Sequence, residues 1–150
     1  MKLPTHALLA IAGSTGTLAL TVSSSVQNAC AQLQSTYPEE LLMPNSSDYE
    51  SERINFWDKR SNMEPACIFL PTTVDAVADA VTIFHKEKAQ FAIRGGGHMN
   101  YPGSNNIDNG VLVGLNGLKQ LDVNLNKSTI DVGPGAKWVD VYTALAPHGL

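Results

Sequence analysis

The stretch with the most chemical content is Arg94-Gly95-Gly96-Gly97-His98. Three consecutive glycines remove every Cβ along a turn. The backbone there is free to take positive φ, and its N–H groups can converge on an anion without steric obstruction. Arg94 sets a positive charge at one end of the turn and His98 an imidazole at the other. The spacing is not that of the Rossmann dinucleotide fingerprint, and no amphipathic helix follows, because Met99 to Gly110 reads as a loop rich in Pro, Gly and Asn. Other chemistries lack their residues. No pair of His, Cys or carboxylate side chains has metal-ligand spacing, so no metal site is expected. Ser104 lies in a loop without a nucleophile elbow, which disfavours a hydrolase. His85 sits near a helix end, where it complements the dipole. Judged by its own neighbours, His98 also has the plainer reading of a loop histidine beside flexible glycines.

The elements that position this turn are legible. Cys67-Ile68-Phe69-Leu70 is a short apolar run ended by Pro71 and reads as a buried strand. Thr72 or Thr73 caps the next helix, with Asp75 in its first turn. Val74, Val77, Val81 and Phe84 fall on one face of that helix, which runs to about Lys88. Phe91-Ala92-Ile93 is the next strand, which completes a βαβ unit with parallel strands. Val111 to Leu115, Gln120 to Val123 and Thr129 to Val132 read as further strands, the last two joined by a turn over Asn124 to Ser128. Gly133-Pro134-Gly135 ends the run. Trp138, Val141, Tyr142 and Leu145 mark one face of a second helix, with Trp138 and Tyr142 expected in the core.

Residues 1–25 differ from the rest. Lys2 is followed by a small, apolar run from Ala7 to Leu20 and then by Ser23, Ser24 and Ser25, the pattern of a secretory signal peptide. Residues 26–65 read as a polar lead-in, with a short helix over Cys30 to Thr36 and a surface segment, Tyr49 to Arg60, anchored by Phe56 and Trp57. The organised part is expected from Cys67. A secreted or secretory-pathway location makes a Cys30–Cys67 disulfide the favoured pairing over two unrelated thiols. Closing that loop would stabilise by roughly 3–4 kcal/mol. Asn45 and Asn126 open glycosylation sequons. The chain has 150 residues, 43% of them hydrophobic and 16% charged, which suits one globular domain and excludes collagen, coiled coil and wholesale disorder. A net charge of −4 argues against nucleic-acid binding. No apolar run is long enough to span a bilayer.

Four of these segments, in order, resemble the front part of FAD-linked oxidases of the vanillyl-alcohol oxidase and p-cresol methylhydroxylase (PCMH) superfamily, including its berberine-bridge-enzyme-like group. Cys67 to Pro71 with its helix is similar to the family's opening βαβ unit. Phe91 to His98 resembles its flavin-attachment loop. Gly110 to Leu118 resembles the strand and turn after that loop, and Val132 to Trp138 the next glycine turn and helix. The resemblance covers about residues 66–150 and implies an α+β fold, the N-terminal half of a PCMH-type FAD-binding domain. It implies FAD bonded through its 8α-methyl to His98, where a neutral ring nitrogen is a competent nucleophile. Gly95, Gly96 and Gly97 would offer N–H groups to the pyrophosphate, with Arg94 orienting the loop or adding charge and Met99 beside them. Gly133 and Gly135 either let a turn approach the flavin or simply end a strand. Met99 stands where the family often has a small polar residue. No cysteine follows Cys67, so the second covalent link that some members make is not expected.

The implied activity is that of an FAD-dependent oxidoreductase acting on a small organic substrate such as a secondary metabolite, alcohol or sugar, with molecular oxygen as electron acceptor. The resemblance stops at His148-Gly149-Leu150, where the family continues into a second flavin-binding segment and a substrate domain. The alternative reading is therefore a truncated remnant that holds no flavin.

Overall fold

A computed structural model describes residues 21–150. Residues 1–20 of the expected signal peptide lie outside the described residues. The first element is helix α1, Ser24–Thr36, capped by the Ser23 hydroxyl, which accepts from the Val26 amide at 3.3 Å. It buries Val26, Ala29, Cys30 and Leu33, one stripe at helical spacing. Organised structure thus begins well before Cys67, and the helix expected over Cys30 to Thr36 is twice as long. Ser, Gln and Asn on its outer face make the segment read as polar and hide the stripe. A two-residue strand, β1 (Leu41–Leu42), and helix α2 (Ser47–Arg53) follow. The lead-in is therefore part of the fold's core.

Strands β2 (Cys67–Phe69), β3 (Phe91–Arg94) and β4 (Val111–Gly114) join β1 in one sheet with order β1-β2-β4-β3. β1 runs antiparallel to β2, while β2 and β3 both run parallel to β4. The βαβ strands are parallel as expected, but β4 lies between them. Helix α3, Val74–Glu87, makes the crossover; its cap is Thr73, whose hydroxyl accepts from the Ala76 amide at 3.1 Å. Its buried face is Ala76, Ala80 and Phe84, whereas Val74 and Val81 are exposed. Of the expected stripe, Phe84 is buried and Val77 half-buried, while Val74 and Val81 face solvent. Helix α1 packs against α3, and methyl-sized side chains let the two axes approach closely.

The sheet is covered on both sides. Cys67, Phe69, Val111 and Val113 pack with α1 and α3 on one face. Ile68 and Leu112, of opposite parity, pack with Tyr49 of α2 and with Phe56 and Leu70 on the other. Burial on both faces explains why β2 and β4 are apolar at every position before Gly114. Cys30 and Cys67 form the expected disulfide, joining α1 to β2. A separate hairpin, β5 (Leu121–Asn124) and β6 (Thr129–Val132), turns over the predicted segment. Helix α4, Trp138–Leu145, ends the set and packs against β5. Among the described residues, no helix is long and apolar enough to cross a membrane.

Candidate functional site

The β3–β4 register pairs Arg94 with Gly114. Arg94 therefore shares the side of Ala92 and Leu112, the α2 face. Its side chain is 2% exposed. One guanidinium nitrogen donates to the Glu52 carbonyl at 2.9 Å, and another is ion-paired with the Glu52 carboxylate. The guanidinium carbon lies 4.9 Å from the Phe56 ring centroid. Burial pushes the guanidinium down to about 10, which leaves it charged at neutral pH. Arg94 thus lies beneath the loop, with its guanidinium turned onto Glu52 and Phe56.

Above it the glycine turn separates its residues. Gly97 has φ +70°, and a Cβ there would stand 3.3 Å from the Asn55 carbonyl oxygen. At Gly95 a Cβ would come within 2.7 Å of the Pro134 carbonyl oxygen. The turn is thus wedged between the segment after α2 and the 133–137 turn. Gly135 presses that second turn onto Leu115, whose carbonyl would overlap any Cβ, and the Gly135 amide donates to the Leu118 carbonyl at 2.9 Å. Gly133 and Gly135 are both packed closely against the backbone and side chains of 115–120.

Between these walls lies a groove of about 850 Å³. Gly96 and His98 form its floor, Asn55, Phe56 and Trp57 one wall, and Ala136, Lys137 and Trp138 the other. Of the six residues proposed from sequence, only Gly96 and His98 line it. Gly95, Gly97 and Arg94 support the floor. Met99 sits beyond it, its carbonyl accepting from the Ser61 hydroxyl at 3.3 Å. The amides of Gly96, Gly97 and His98 donate to no acceptor among the described residues. Sequence reasoning missed Trp57, whose indole stacks on the His98 ring at 5.7 Å between centroids and 10° between planes. It also misplaced Trp138 and Tyr142, which are 72% and 65% exposed rather than in the core. Their helical spacing was real, but helix α4 buries only Val141. An exposed aromatic next to charges, as Trp57 is in the sequence, was the available signal. Among the described residues no group of three metal-ligating side chains forms.

A family described as an FAD binding domain matches residues 65–150. The chain belongs to this FAD-binding family. A Penicillium roqueforti protein named FAD-dependent monooxygenase prx3 is 37% identical over 136 residues, which covers 89% of this chain and 26% of that one. A Physcomitrella patens BBE-like 1 variant superposes with a TM-score of 0.64 at 26% identity, covering 82% of this chain and 26% of that one. The 6-hydroxy-D-nicotine oxidase of Arthrobacter nicotinovorans shares the fold, with a TM-score of 0.67 at 24% identity over 73% of this chain and 24% of that one. The PCMH-type FAD-binding fold expected from sequence is the fold present. The chain spans about a quarter of the length of the curated relatives it matches. The residues fit FAD: unpaired amides and the Lys137 ammonium suit a diphosphate, and the walls carry flat aromatic rings for a planar cofactor.

Proposed function

We propose that this chain is the flavin-holding part of an FAD-dependent oxidoreductase, with His98 bonded to the 8α-methyl of the cofactor. The observation that carries the reading is the open groove whose floor combines an exposed imidazole with a row of undonated amides. Gly96 and Lys137 hold the diphosphate, and Gly95 and Gly97 let the chain turn tightly enough to present those amides. The bound flavin supplies two-electron oxidation of a C–H bond in a small organic substrate, and molecular oxygen takes the electrons. The name of the Penicillium roqueforti relative, an FAD-dependent monooxygenase, supports flavin-dependent oxidative chemistry. The Cys30–Cys67 bridge supports folding in the secretory pathway, where exposed Asn45 and Asn126 are open to glycosylation.

The test is fluorescence of the denatured protein in a gel after incubation with FAD. A yellow-green band in the wild type that vanishes in His98→Ala supports attachment. A colourless wild-type band defeats the attachment.

A further inference from the structure

We propose that Trp57 is a positioning residue that holds the His98 imidazole in the plane from which it bonds to flavin. The inference rests on the histidyl attachment proposed above and deepens it.

His98 is exposed and follows a glycine turn, so its side chain would otherwise sample several rotamers. Its structural partner is an aromatic face. The indole of Trp57 lies nearly parallel to the imidazole, at 5.7 Å and 10°. An offset stack of this kind restricts the ring's tilt and leaves the in-plane lone pair of its unprotonated nitrogen free. Trp57 is itself 73% exposed, so burial in the core is not what its indole is for. The segment that carries it, in contrast, is tied to the loop. The Glu52 carbonyl accepts from Arg94, Phe56 lies against the same guanidinium, and the Asn55 carbonyl abuts Gly97. The segment 52–57 and the turn 94–98 are therefore joined, by the Arg94 contacts and by the indole–imidazole stack.

The attachment joins an imidazole nitrogen to the 8α carbon. The N–H bond and one C–H bond break, and two protons and one electron pair pass to the isoalloxazine, which is left two-electron reduced. Nothing in that balance requires Trp57 chemically; it fixes only the direction of the attacking nitrogen.

Two measurements on the 150-residue chain decide the matter. In the flavin-free protein, ring protons of His98, assigned by their loss in His98→Ala, should resonate upfield under the indole's ring current. They should move downfield in Trp57→Ala and stay largely in place in Trp57→Phe. After addition of FAD, acid-stable flavin on the His98 peptide should form about two- to tenfold more slowly in Trp57→Ala, the range an aromatic pair supports, with rate restored in Trp57→Phe. Unmoved His98 resonances in Trp57→Ala overturn the proposal. So does a wild-type rate of attachment in that variant. If the wild type forms no acid-stable flavin at all, the attachment itself fails, and the role assigned to Trp57 in it falls too, whatever the resonances show.

Discussion

At the scale of single residues, Arg94 shows why charge in a sequence does not reveal where the charge points. The motif sets it beside three glycines, and the strand's parity then turns it inward, onto Glu52 and Phe56. Removing one partner of a buried ion pair strands the other. Arg94→Met should lower unfolding stability by about 3–5 kcal/mol, read by urea denaturation. Arg94→Lys should recover only part of that, because an ammonium cannot bridge the Glu52 carbonyl and carboxylate as a planar fork does. Gly97 makes a second case. Its φ of +70° and the nearby Asn55 carbonyl make a side chain there strained and tightly placed. Gly97→Ala should cost about 1–2 kcal/mol in thermal unfolding and weaken FAD binding in parallel. The glycine and histidine identities were legible. The residues that stack on and wall in His98 were not, because nothing local links Trp57 or Lys137 to it.

Among the elements, the packing of α1 on α3 is tied at the surface by Glu87, whose carboxylate accepts from Gln32 at 2.7 Å and from Asn28 at 3.3 Å. These hydrogen bonds, that of Gln32 first, hold the carboxyl below its ordinary value. A group depressed in the folded state stabilises fully above its unfolded value and loses that contribution as pH falls through the folded one. Melting of Glu87→Gln should therefore lie below wild type at neutral pH, and the gap should close in acid. Calorimetry across the carboxylate range checks this; a gap independent of pH would refute it. Helices α3 and α4 were legible from spacing and caps, whereas α2 was read as a surface segment and α1 at half its length; the buried faces were largely not legible. On α3 the eye follows valine, while the structure buries alanine. On α4 the aromatics mark the groove side and the solvent. Side-chain size argues for burial only where the facing element leaves room.

For the molecule as a whole, the Cys30–Cys67 bridge fastens the first helix to the central sheet across a sequence separation of 37. In the chain-entropy account a loop of that length is worth about 4 kcal/mol. The double variant Cys30→Ser with Cys67→Ser should lose stability of that order in urea, and wild type treated with a thiol reductant should match it. A double variant as stable as wild type would mean the core contacts of α1 suffice without the bond.

Local sterics determined what could be read from the chain alone: short strands where β-branched residues run together, a turn where side chains vanish, an imidazole at its end, and the family these jointly mark. Which atoms face the groove was decided only by tertiary structure. Arg94 and Glu52 are 42 positions apart, and their meeting depends on the register of β3 against β4 and on which face of the sheet α2 covers. A one-residue slip in that register would turn every side chain of β3 over. Orientation is a property of pairings between distant segments, and those pairings exist only once the sheet has formed.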